Sequence, residues 1–160
     1  MPDGFALQVV TPDRLLVDAS AQALVLRTTE GDMTVLDGHT SLVAALVPWV
    51  VRVDPVDGEP VRLAVHGGFL QVDTGPQEHG DPPGSLGTRV TLLAGIAELS
   101  EEIDIERARR AKEDAEGRVG QGPTASAAQD EETEQDLDAA RAAGELARAE
   151  LRLEAAGASA

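Results

Sequence analysis

Glu30-Gly31-Asp32-Met33-Thr34-Val35-Leu36-Asp37-Gly38-His39-Thr40-Ser41-Leu42 is the stretch whose reading decides the fold. A short strand-like run sits between a Gly-Asp turn and an Asp-Gly-His turn, and an apolar run from Leu42 to Val53 follows at once. Turn chemistry bracketing β-branched and apolar residues predicts a β framework with a polar rim and a histidine at a loop tip.

The surroundings repeat this pattern across residues 1–97. Phe5, Leu7 and Val9 alternate with Ala6, Gln8 and Val10. Leu15 to Asp18 is a short apolar run after the turn residues Pro12 and Asp13, and Ala21 to Thr29 is a longer alternating one. Trp49 to Val53 and Val61 to Val65 flank Asp57-Gly58, a hairpin signal. Gly67-Gly68 precedes Phe69, Leu70 and Val72, and Arg89 to Leu93 is a final strand. Short strands with frequent turn signals predict an antiparallel β-sandwich or flattened barrel. The loop 74–88 stands apart, because Gly or Pro fills seven of its fifteen positions. It is long for a hairpin connection, and mobility is expected there. His79, inside it, reads as solvated.

After Ser100 the period becomes helical. Ile105, Ala108, Lys112, Ala115 and Val119 step by three and four, with Asp104 at the N-cap position and Glu106 in the first turn. Gly117, Gly120, Gly122 and Pro123 end that pattern. A second one runs from about Glu134 to Ala156, with a narrow seam through Leu137, Ala140, Gly144, Ala147 and Leu151. Glu131, Glu132 and Glu134 complement the dipole at its start. The expected organisation is a β-sandwich domain over 1–97 and a C-terminal antiparallel helical hairpin over 101–156. Its helices lie at about 104–118 and 134–156, with a flexible linker between. An alanine-rich seam buries little area, so the hairpin is expected to be marginal alone.

Composition excludes several functions. A formal net charge of −16 argues against general nucleic-acid binding and against an anionic lipid surface as a direct partner. The absence of cysteine removes disulfides and thiolate metal sites. No apolar run reaches the roughly 18 residues of a membrane span, and no basic n-region precedes an apolar stretch near Met1. The reading is a soluble intracellular protein.

Four segments, in order, carry a resemblance to a known family. They are Phe5 to Pro12, Glu30 to Leu42, Ala64 to Val72 (with Gly67-Gly68-Phe69), and Val90 to Ala94 continuing through Ile103 to Ala108. Together they resemble the epsilon subunits of bacterial F-type ATP synthases, the counterparts of the mitochondrial delta subunit. The resemblance implies a non-catalytic central-stalk subunit whose sandwich packs on the gamma subunit and sits on the ring of c subunits. It implies coupling of ring rotation to ATP synthesis, and a helical hairpin that inhibits ATP hydrolysis by the alpha/beta hexamer. The implied location is peripheral, on the cytoplasmic face of the cell membrane, with no direct membrane insertion. Two kinds of departure stand out. Asp37 replaces the family's proline before Gly-His, and Met33-Thr34 replaces the usual Leu-Gly. The 74–88 loop and the segment after Gly117 look like insertions.

The candidate interface to the c ring or gamma is Glu30, Gly31, Asp32, Asp37, Gly38 and His39. His39 lacks a nucleophile partner beyond Ser41, so no catalytic residue is assigned. The carboxylates lack the dense oxygen spacing of a calcium loop, and no metal site is assigned. Gly67-Gly68 reads as backbone permissiveness at a bend. The resemblance also implies a candidate regulatory ATP site at Glu98, Ile103, Asp104, Arg107, Ala108, Arg148 and Arg152; no other cofactor is expected. Arg148 and Arg152, one helical turn apart, can aim at one phosphate group. Asp114 occupies a position where ATP-binding members carry another arginine. The competing structural reading makes Asp104 an N-cap paired with Arg107. The alternative function is a free-standing β-sandwich ligand-binding module with a helical tail.

Overall fold

The computed structural model describes residues 4–119 and 134–158. The acidic run Asp130-Glu131-Glu132 and most of the expected linker lie outside them. The chain divides into two compact units, Met1–Glu102 and Ile103–Ala160.

The first unit is a nine-stranded flattened barrel: β1 (Phe5–Val10), β2 (Leu15–Thr28), β3 (Gly31–Val35), β4 (Leu42–Leu46), β5 (Trp49–Pro55), β6 (Val61–Val65), β7 (Gly68–Thr74), β8 (Thr88–Ala94) and β9 (Ala97–Leu99). The strands run in the order β1-β8-β7-β4-β2-β5-β6-β9, with β3 also on β2 and β1 pairing β2 as well as β8. β2 reaches both layers. Its first half pairs β1 from Leu15 to Ala21, and its second half pairs β3 and β5. The sequence reads as two strands here because Asp18, Ala19 and Ser20 interrupt the apolar pattern, yet these residues stay in the ladder opposite Gln8, Leu7 and Ala6. The apolar run Leu42–Val53 is in turn split at Val47-Pro48 into β4 and β5. β9, too short to show a period, pairs β6.

The core is made by alternation. Phe5, Leu7 and Val9 of β1 point inward with Leu24, Leu26, Val35, Val51, Val53, Leu63, Val65, Leu70, Val72, Val90 and Leu92. Each such side chain contributes about 1.5–3 kcal/mol through burial. Gly68 shows how tight the packing is, because a Cβ there would lie 2.1 Å from the Leu93 carbonyl oxygen. Its need is steric and conformational, with φ at +141°, as a bend between strands requires. A short 3-10 turn, Ser100–Glu102, ends the unit. Arg14 there forms a two-pronged ion pair with Glu102.

The second unit holds α1 (Ile105–Val119) and α2 (Glu134–Ala155). Ion pairs Lys112–Glu150 at 3.7 Å and Arg118–Glu145 show that the helices run antiparallel. Asp104 caps α1: its Oδ1 accepts a hydrogen bond from the Arg107 backbone N–H at 2.9 Å. Ala108 and Ala115 are buried as the period of α1 predicts. α2 differs from expectation. Ala142, Ala149, Leu151, Leu153 and Ala155 are buried, while Leu137, Ala140 and Ala147 are exposed. Alanine occurs on every face of this helix, so apolar spacing does not single out one stripe.

Candidate functional site

The six residues expected to form one polar rim fall into two places. β3 separates Glu30, Gly31 and Asp32 from Asp37, Gly38 and His39, one turn at each end of the strand. A strand advances about 3.3 Å per residue, so turns close in sequence are held well apart.

The first turn is fastened to its own strands. Thr28 Oγ1 donates to the Gly31 carbonyl and accepts from the Glu30 N–H, both at 3.1 Å. Arg27 grips Asp32 with two prongs, Nε to Oδ1 at 2.5 Å and Nη2 to Oδ2 at 3.1 Å. The same guanidinium lies 3.6 Å from the centre of the Trp49 ring, a cation–π stack. The Arg27 hydrogen bond holds the Asp32 carboxyl below its ordinary pKa. Glu30 and Asp32 remain exposed.

The second turn is joined to the 74–88 loop. Asp37 Oδ2 accepts from the Leu86 N–H at 2.7 Å, and its Oδ1 accepts from the Gly38 N–H at 3.1 Å and from Ser85 Oγ at 3.4 Å. The Gly38 N–H also reaches Thr88 Oγ1 at 2.7 Å. His39 is half-buried, its Nδ1 2.9 Å from the Thr40 carbonyl, and its own carbonyl accepts from Thr74 Oγ1. Within the loop, Gly75 N–H bonds the Gly87 carbonyl at 3.2 Å. Arg89 holds Glu78 and the nearly enclosed Asp81 at 3.1 and 3.2 Å. The loop has no regular structure but is closed and internally bonded, in the manner of an Ω-loop. His79 on it is exposed.

A third feature escaped sequence reasoning. Val43, Phe69 and Leu93 are 71%, 57% and 46% exposed. Phe69 sits opposite both Ala45 and Leu93 in the ladder, and Leu93 opposite Val10, which pairs Leu15. An apolar row thus crosses the outside of β4, β7, β8, β1 and the start of β2. The signal was present, since Phe69 is out of phase with the buried Leu70 and Val72. Contiguous exposed apolar surface is, in general, a feature of interaction sites.

The residues considered for ATP divide between the units. Glu98 lies on β9, its carboxylate 3.7 Å from His66 Nε2, and the remaining six belong to the helical unit. Within that unit Asp104 is the cap of α1, Ala108 is buried, Arg107 and Arg148 are exposed and Arg152 is half-buried. A cleft of about 550 Å³ in the hairpin is lined by two bases, Arg109 and Lys112, and four acids, Glu113, Glu116, Glu150 and Glu154. None of the residues considered for ATP lines that cleft. Among the described residues, no cluster of His, Cys, Asp or Glu is arranged to hold a metal, and no helix is long and apolar enough to cross a membrane.

Comparison with known proteins matches both units. Residues 4–75 fit the family of the ATP synthase delta/epsilon chain β-sandwich domain, and 101–157 that of its long α-helix domain. The chain is 37% identical over 152 residues to the ATP synthase epsilon chain of Moorella thermoacetica, covering 95% of this chain and 96% of that one. It is 37% identical over 154 residues to that of Symbiobacterium thermophilum, covering 96% and 93%. The fold also matches a chain in the mitochondrial ATP synthase of Euglena gracilis, a cryo-EM structure of OSCP, F1 and the c-ring. The TM-score is 0.68 and the identity 25%, over 98% of this chain and 82% of that one. The two units, in this order and over nearly the whole length, make the chain a member of the ATP synthase delta/epsilon chain family.

Proposed function

We propose that this chain is a non-catalytic central-stalk subunit of a rotary ATP synthase, working with the gamma subunit, the c ring and the alpha/beta hexamer on the cytoplasmic face of the membrane. The observation that carries the reading is the apolar row through Ala45, Phe69 and Leu93, on a chain whose net charge is −16. A closed barrel resists shear because most of its strands, β3 and β9 apart, are bonded on both sides, which suits a part that transmits torque. In this reading the apolar row docks on gamma. The Glu30–Asp32 turn, polar and acidic, faces basic groups of the ring. The experiment is reconstitution of the stalk with Phe69→Glu. Loss of the chain from the purified complex, with unchanged Trp49 emission, is expected; full retention overturns the docking assignment.

Regulation belongs to the hairpin. Its seam is thin enough for the helices to exchange partners at modest cost. Several of its bases are already paired within it: Arg109 with Glu106, Lys112 with Glu116 and Glu150, Arg118 with Glu145, and Arg141 with Asp138. Inhibition through basic contacts is therefore expected to be mild. Deleting residues 101 onward raises membrane ATP hydrolysis modestly; unchanged hydrolysis means the hairpin is not the brake. Regulatory ATP at Arg107, Arg148 and Arg152 would meet the acid of Asp114, so weak binding is expected. Absence of both calorimetric heat and thermal shift at millimolar ATP removes that site.

A further inference from the structure

The last strand of the barrel has little ladder to hold it. β9 is three residues long and pairs β6 alone, at the far end of the strand order from β1. The 3-10 turn Ser100–Glu102 follows, and Glu102 is the last residue of the first unit. That residue is gripped by Arg14, 88 positions earlier in the sequence. Arg14 Nη1 donates to Glu102 Oε1 at 3.1 Å, and Nη2 donates to Oε2. Two parallel prongs fix the orientation of both groups as well as their separation. The same hydrogen bonding holds the Glu102 carboxyl below its ordinary pKa and raises that of Arg14.

Both sides of this pair are anchored. Arg14 lies in the turn between β1 and β2, where Thr11 binds its main-chain polar groups. The Thr11 N–H and hydroxyl donate to the Arg14 carbonyl at 2.9 and 3.1 Å, and the hydroxyl oxygen accepts from the Arg14 N–H at 3.3 Å. β1 is in turn bonded to β2 and to β8. Beyond Glu102, α1 is secured at Asp104, whose side chain caps the helix and whose carbonyl accepts from the Ala108 N–H at 2.9 Å. With the pair closed, only Ile103 separates the two fixed points. With it open, residues 97–103 depend on the short β9 ladder with β6.

We propose that the Arg14–Glu102 pair is a clasp on the joint between the units: closed, it confines the joint to Ile103, and open, it releases 97–103 as a strap about which the hairpin can turn. The two side chains are 53% and 41% exposed, so salt screens the pair and opens the clasp. The clasp does not depend on what the apolar row meets, so its failure leaves the stalk reading standing.

The test is hydrogen exchange of the full chain, read by mass on peptides covering 97–103. R14Q and E102Q should each speed exchange there about threefold, the scale of an exposed ion pair acting on a local opening, with peptides of β5 and β7 unmoved. High salt should do the same to the unsubstituted chain and add nothing to R14Q. The charge swap R14E/E102R should restore slow exchange. Unmoved exchange in R14Q, an equal rise throughout the barrel, or a swap that restores nothing overturns the clasp. Absence of native cysteine allows spin labels at D57C, in the turn between β5 and β6, and at A140C, at an exposed position of α2. Distances between the labels should spread more widely in R14Q and narrow again in R14E/E102R. Faster exchange with an unchanged spread would mean a strap that frays without freeing the hairpin, and overturns the control of the joint.

Discussion

The sandwich and the hairpin bury apolar residues in different ways. The sandwich encloses Phe5, Leu7, Leu24, Leu63 and Leu92 almost completely, from strands drawn from the whole first unit. The hairpin's seam relies on Ala108, Ala115, Ala142 and Ala149, with Leu153 toward its end. A leucine removes several times the apolar area of an alanine from water, so the first unit has stability to spare and the second has little.

Four measurements can break or sharpen it. The largest effect should come from Leu24→Ala, which leaves a cavity in the sheet core and costs about 4 kcal/mol, read as a lowered denaturant midpoint in Trp49 emission. In the unsubstituted chain, far-UV helicity of the hairpin should be lost at lower denaturant than that emission changes; simultaneous loss would show that the units unfold as one. Gly68→Ala should cost about 3 kcal/mol, because the new methyl meets the Leu93 carbonyl and the backbone sits at positive φ. A smaller effect, about 1 kcal/mol, is expected from Asp104→Ala, which removes the α1 cap. It should reduce helicity and leave the Trp49 transition in place, and a shift in that transition would contradict the division.

The smallest effect is acid-dependent. Arg27 holds the Asp32 carboxyl below its ordinary value, so the pairing favours the fold fully above the ordinary carboxylate range. It is lost as pH falls through the lowered folded value. Because Arg27 also stacks on Trp49, protonation of Asp32 should change tryptophan emission in that acid window, and Asp32→Asn should abolish the step. An identical acid step in the variant would assign it to another group.

Much of the fold was legible in the sequence, and the losses have physical reasons. Alternation in β1 and the Asp57-Gly58 hairpin could be read because each strand has one wet and one dry face. The α2 stripe could not, since alanine is tolerated on either side of a helix. The candidate rim residues are sequence neighbours, whereas the extended strand β3 carries the two turns apart. Asp37's partnership with Ser85 and Leu86 joins residues distant along the chain, and no local pattern announces it. Phe69 is outside by its phase alone, one residue before the buried Leu70.

The parallel pairing of β1 with β8 sets a schedule for synthesis. Ala6 finds its place beside Arg89 and Val9 beside Leu92, so the first strand made must wait for nearly the last of the sheet. β1 can lie against β2 early, through a local turn at Thr11 to Arg14. Its other edge stays open until β8 has left the ribosome, a long-range closure of the kind that slows folding. During that interval the nascent chain carries an unpaired strand edge, where association with other chains is easiest. The hairpin emerges only after the barrel's last strands are available, when the barrel is already able to close.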